Sequence, residues 1–172
     1  RSMNIKELRR AARYALGRRF VEASLRLPPA LSRNLYSALG EVSYHLAARD
    51  RRLALGNIRH AFPDLSEQEV RCRARAVFRN LLENIHDVAA APRWTALERK
   101  ARLRIEGLPQ LRRAVDSGRG VILFGGHQGA WELVAVALAG HGVRLTSVAR
   151  PIREQRLEAW LDVACIREDA EG

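Results

Sequence analysis

Through the first ninety residues, apolar positions return every three or four places, which is the period of a helix with one buried face. Ile5, Leu8, Ala12, Leu16, Phe20 and Ala23 form one stripe, with Arg9, Arg10, Arg13 and Arg19 mostly off it, and Pro28-Pro29 stops the run. Leu31, Leu35, Leu39, Val42 and Leu46 predict a second helix, and "RDRRLALGNIRHAFP" a short third one ending before Pro63. Ser66 followed by Glu69 has the spacing of a capping box. Beyond it Val70, Val77, Phe78, Leu81, Ile85 and Val88 carry a long helix to about Ala91, where Pro92 closes it.

The period then changes. "RLRIEG" alternates polar and apolar residues through Leu103 and Ile105 as a strand does, and Leu108 to Val115 has helical spacing. "DSGRG" turns the chain into Val121–Phe124, an apolar run between glycines that reads as a short buried strand. The helix expected next carries Trp131, Leu133, Val134, Val136 and Leu138, is apolar nearly all round apart from Glu132, and is therefore expected to be buried. "VRLTSVA", residues 143 to 149, predicts a third strand, and a helix is expected from about Glu154. Strand, helix, strand, helix, strand is the order of a parallel sheet with right-handed crossovers. The expectation is an α/β fold in one domain over 1–172. A helical part, 1–91, would pack as a layer on a mainly parallel βαβαβ part, 102–165. A length of 172 residues, 47% of them hydrophobic, suits one core better than two.

Charge adds a polarity to this picture. Net charge is +11, and the first 60 residues hold twelve arginines and one lysine against Glu7, Glu22, Glu41 and Asp50, or +9, leaving +2 for the rest. A basic amphipathic first helix suits the surface of an anionic leaflet. No uncharged apolar run reaches the ~18 residues that a membrane-spanning helix needs. Only Lys6 and Lys100 among the 30 basic residues are lysines, so no single arginine is given weight for being one. The charge would also suit nucleic acid, but aromatic residues are only 6% and neither zinc-ligand spacing nor a base-stacking motif is present, which argues against it. Cys72 and Cys165 lie far apart and read as small apolar core residues in a reducing compartment. His45, His60, His86 and His141 lack partners at ligand spacing, so no metal is expected.

The candidate chemistry is in "GGHQGAWEL". In an open parallel sheet, ligands bind beyond the carboxyl ends of the strands, and His127 stands three residues after Phe124. Glu132, placed in the first turn of the next helix, can fold back and hold the imidazole in one tautomer, which makes a general base. No serine or cysteine stands beside them, so the pair suits removal of a proton from a substrate hydroxyl without a covalent intermediate. Backbone N–H groups of Gly125 and Gly126 suit a developing oxyanion. The same residues also fit a plain strand-to-helix turn, with paired glycines for the bend and a glutamate favoured by the helix dipole. Arg150, closing "VRLTSVAR" on the same sheet edge, can capture an anionic group or point into solvent.

"GGHQGAWEL" closely resembles the His-x4-Glu block of the bacterial lipid A late acyltransferases, within the larger lysophospholipid acyltransferase group. "NIRHAFPDLSEQE" is similar to that family's segment before its long helix, and "SVARPI" to its Arg-Pro strand end, so the likeness spans about residues 35 to 161. The resemblance implies His127 as general base, Glu132 as its orienter, and transfer of a fatty acyl group from acyl carrier protein to a hydroxyl of an anionic, lipid A-type glycolipid. It implies no cofactor beyond the carrier thioester, and a place on the cytoplasmic face of the inner membrane. It also implies further strands after residue 172, so the chain is expected to be part of a longer domain. Enzymes acting on phosphatidylinositol mannosides or lysophospholipids share the block, and an inactive relative that only binds lipid or carrier protein would resemble them too. The acceptor stays open at this stage.

Overall fold

The computed structural model describes residues 5–143, 145 and 146. Among them are α1 (Ile5–Ser24), α2 (Pro29–Leu46), α3 (Ala48–Ala61), α4 (Glu67–Ala90), a 3-10 turn (Ala91–Arg93), α5 (Ala96–Arg102), α6 (Leu108–Asp116) and α7 (Leu133–Ala139). The chain divides into two compact units, Arg1–Asp87 and Val88–Gly172.

Local signals set the helix ends in the first unit. Pro28 precedes α2 and Pro29 takes its first position, where a missing N–H costs nothing. The capping box read from the sequence before α4 is present. Ser66 N–H donates to Glu69 Oε2 at 2.8 Å, and Glu69 N–H donates to Ser66 Oγ at 3.3 Å. The Ser66 hydroxyl also donates to Glu69 Oε2, at 2.6 Å, and that bond together with the one from Ser66 N–H holds the Glu69 carboxyl below its ordinary range.

The face that α2 buries is not the leucine stripe. Leu31, Val42 and Leu46 are exposed, whereas Ser32, Tyr36, Gly40 and Tyr44 are buried. Those four recur every fourth residue, and the small ones let the aromatic ones seat against α4. Tyr44 meets Phe78 edge-on at 5.6 Å, and Tyr36 meets His86 at 5.2 Å. Ala47, Ala54, Leu55 and Ile58 pack around Tyr44, Ala74 and Phe78, which seats α3 on the same core. Arg51 closes the end of α2 by donating to the carbonyls of Tyr44 and His45, both at 3.0 Å. Arg33 bridges Glu83 and Asp87, Arg75 pairs with Glu41, and Arg59 forks onto Glu67 at 2.7 and 2.8 Å. The Arg75 guanidinium beside Glu41 and the Arg59 guanidinium beside Glu67 hold both carboxyls below their usual range. The arginines are exposed, while Glu41, Glu83 and Asp87 are half-buried, and pairs open to solvent on one side or both add little stability.

In the second unit the structure overturns the expected α/β fold. The described residues contain no strand and no sheet, so the βαβαβ arrangement is absent from them. "RLRIEG" is pre-empted from its start: Thr95 and Glu98 form a second capping box, α5 runs to Arg102, and Gly107 turns the chain at φ 83°. Leu103, Arg104 and Ile105 are left as a short connection. Val121–Phe124 has no ladder partner among the described residues, and Ile122 and Phe124 are fully exposed at 96% and 101%. Alternation and apolar runs report which side chains ask for burial, but a strand also needs a neighbour to take its backbone hydrogen bonds. The third expected strand, 143–149, and the helix from Glu154 lie mostly or wholly outside the described residues. Cys72 is exposed, not a core residue, and Cys165 is outside the described residues.

Candidate functional site

The segment that carries the candidate chemistry leaves α6 through two left-handed glycines, Gly118 at φ 72° and Gly120 at φ 75°. It then runs without regular structure to a tight turn in which Gln128 N–H donates to the Gly126 carbonyl at 2.9 Å and Gly129 takes φ 61°. A glycine fits there because a Cβ disfavours that conformation. Bonds from Leu133 N–H to Ala130 O and from Val134 N–H to Trp131 O, 2.9 and 3.0 Å, lead into α7. Leu133 and Leu138 bury one side of this short helix, while Trp131 and Val134 stay exposed. The expectation of a helix buried all round therefore fails.

His127 projects from the turn as an exposed imidazole, and its ring rests edge-on against Trp131 with centroids 4.7 Å apart at 62°. Glu132 is half-buried at the N-cap of α7, with helical φ −58° and ψ −29°, and its side chain caps nothing. No hydrogen bond or ion pair joins His127 to Glu132; the neighbour that steadies the imidazole is the indole. Sequence reasoning missed Trp131 as part of the site. The signal for it was the four-residue spacing of the two rings, read instead as core patterning. Gly125 and Gly126 border open space, with nothing within 4 Å of where a Cβ would sit, so a substrate can reach their backbone. Arg150 lies outside the described residues.

Chemically, the turn offers an accessible proton acceptor beside an apolar indole face and an unobstructed stretch of backbone. A cleft of about 540 Å³ lies nearby in sequence, walled by Leu111, Arg112 and Val115 of α6 with Val121, Leu123 and His141. Arg112 reaches across part of it, donating to the His141 carbonyl at 3.4 Å. His127 is not among its walls. No group of His, Cys, Asp and Glu side chains among the described residues could hold a metal ion. No helix among them is long and apolar enough to cross a membrane.

Compared with known families, residues 2–164 match bacterial lipid A biosynthesis acyltransferase. Comparisons with curated proteins and with solved structures gave no match.

Proposed function

The chain belongs to the bacterial lipid A biosynthesis acyltransferase family, and from that membership we propose that it moves a fatty acyl group from the thioester of acyl carrier protein to a hydroxyl of a lipid A-type glycolipid precursor. The observation that carries this reading is the exposed His127 imidazole, held on Trp131 in an open turn within the matched span. In the proposed step, His127 removes the proton of the acceptor hydroxyl as its oxygen attacks the thioester carbonyl. The tetrahedral oxyanion is met by backbone N–H groups at Gly125 and Gly126. The C–S bond then breaks, the new ester forms, and the proton passes from His127 to the departing carrier thiolate. No cofactor is required by this balance.

Glu132 serves as the orienter once substrate is bound, its side chain turning from the α7 N-cap toward the ring. Hydrogen bonds of this kind are commonly made only in the reacting complex. Arg150 is assigned capture of an anionic group on the acceptor, for which a planar charged fork is suited. The first helix is assigned to the cytoplasmic face of the inner membrane.

Two measurements test this reading. Incubating the chain with labelled acyl carrier protein and, in parallel, a lipid A precursor, a phosphatidylinositol mannoside and a lysophospholipid should label the lipid A precursor fastest. Faster labelling of another acceptor would reassign the substrate, and none at all would leave a lipid- or carrier-binding role. Separately, the chain should bind phosphatidylglycerol vesicles more tightly than phosphatidylcholine vesicles, and less tightly as salt rises. Arg9 and Arg13 are both exposed on α1, so replacing the two with glutamine should cost ~2 kcal/mol at low salt, at ~1 kcal/mol per charge. Equal binding to both vesicle types would remove the membrane role from this helix.

A further inference from the structure

We propose that α1 is a membrane-docking arm whose angle to the rest of its unit is set by a latch between Ser24 and Tyr36, so that the lipid-facing side is held open before any membrane is met. This rests on the anionic-membrane reading of α1 given above.

Most of α1 is exposed: Leu8 is 54% and Leu16 72% accessible, and Ala12, Arg13 and Arg19 are exposed as well. Packed helices such as α2 also expose leucines, but α2 buries four residues along its length, whereas among the α1 residues whose exposure is described none before Ser24 is buried. Burial concentrates at the root of the helix, where Ser24 is 2% accessible and Tyr36 1%. Ser24 Oγ and Tyr36 Oη lie 3.0 Å apart, across the turn that joins α1 to α2. Ser24 Oγ also donates to the Val21 carbonyl at 2.8 Å. A hydroxyl has one proton to give, so the Tyr36 hydroxyl is the donor to Ser24 Oγ.

The tyrosine is itself well rooted. Its ring meets His86 at 5.2 Å, His86 Nδ1 lies 2.9 Å from Asp87 Oδ1, and Arg33 of α2 donates to Asp87 and Glu83. The Phe20 ring, one turn before Ser24, rests on Tyr36 with centroids 5.6 Å apart. A hydrogen bond and one ring contact thus tie the last turn of α1 to a tyrosine held by two other helices. The rest of the arm presents leucines and arginines outward, the chemistry of an anionic lipid surface. Fixing the arm beforehand removes an ordering cost from binding.

Proton bookkeeping makes the two sides of the latch unequal. Tyr36→Phe removes the donor but leaves Ser24 Oγ bonded to Val21 O, so no buried polar group is orphaned. Ser24→Ala leaves the buried Tyr36 hydroxyl without its acceptor, which is the costlier loss. In the full chain without lipid, amide hydrogen exchange over residues 17–24 should therefore quicken by roughly threefold in Tyr36→Phe and by more in Ser24→Ala. Exchange in the α4 core around Ala74 and Phe78 should stay as in the unaltered chain, which a general loss of packing would not allow. Phosphatidylglycerol vesicle affinity should fall severalfold in both variants.

Unchanged exchange over 17–24 in both variants overturns the latch. Quicker exchange with unchanged vesicle affinity overturns the claim that the latch prepares the arm for lipid. If the unaltered chain does not prefer phosphatidylglycerol vesicles, the membrane reading itself fails, and the exchange experiment still reports on the latch.

Discussion

In a chain shown to transfer acyl groups, His127→Ala should remove nearly all turnover, even at saturating acceptor. The reason lies in the electron balance of the proposed step. An alcohol holds its proton far too tightly to attack a thioester at neutral pH, and general-base assistance is typically worth ~10²–10⁴ in rate. The segment carries no serine or cysteine from Gly120 to Glu132 that could take over by a covalent route. Because the imidazole is exposed and rests edge-on against Trp131, its loss leaves no cavity in a core, and the variant should fold with unchanged helix content. The result should appear as a lower kcat with acceptor KM little altered. Glu132→Ala, acting through ring orientation, should cost on the order of 10². Trp131→Leu should fall between the alanine change at His127 and the intact chain, since it loosens the ring without removing the base. A folded His127→Ala protein that turns over near the normal rate would end this mechanism.

The helical part was legible because helices announce themselves locally. Proline stops, a capping box and three-to-four spacing placed α1 to α4 within a few residues of their observed ends. What the spacing did not decide was which face goes inward. On α2 the leucine stripe looked like the core face, yet Tyr36 and Tyr44 with Ser32 and Gly40 are buried. Close approach to a neighbouring helix selects small residues flanked by aromatic ones, and a hydrophobicity count cannot see the neighbour. The missed α5 is a different failure. Thr95 and Glu98 have the same spacing as Ser66 and Glu69, so the signal that placed α4 was equally available for α5. The first two expected strands failed because pairing is a non-local fact: Val121–Phe124 carries a strand's composition, and its outward-facing Ile122 and Phe124 show that composition alone does not supply a partner. At the candidate site, the sequence placed His127 and Glu132 on the two sides of a tight turn. It did not foresee Trp131 as the ring's neighbour.

Gly40→Ala should lower the stability of the first unit, against the ordinary expectation for a helical glycine. In the middle of a helix, alanine is favoured over glycine by ~1 kcal/mol, because it restricts the unfolded chain. At position 40 that gain meets an obstacle. A Cβ there would sit 2.5 Å from Arg79 Cα, 2.7 Å from the Phe78 carbonyl oxygen and 2.9 Å from Arg79 N. All three are backbone atoms of α4, so no flexible side chain can move aside, and the helices themselves must part. Parting them loosens Tyr36 on His86 and Tyr44 on Phe78, the contacts one turn to either side. Overpacking of this kind costs ~1–3 kcal/mol, and the rigidity of the obstacle puts this case at the upper end, enough to outweigh the propensity gain. Gly17 in α1 and Gly56 in α3 provide controls, since nothing lies within 4 Å of a Cβ at either. Gly17→Ala and Gly56→Ala should therefore raise stability slightly, opposite in sign to Gly40→Ala, when urea midpoints are compared by far-UV circular dichroism. Gly40→Leu should be worse than Gly40→Ala and should speed amide exchange along α2 and α4 together. If Gly40→Ala instead matched Gly56→Ala, α2 and α4 could not approach each other as closely as the Tyr36 and Tyr44 contacts require.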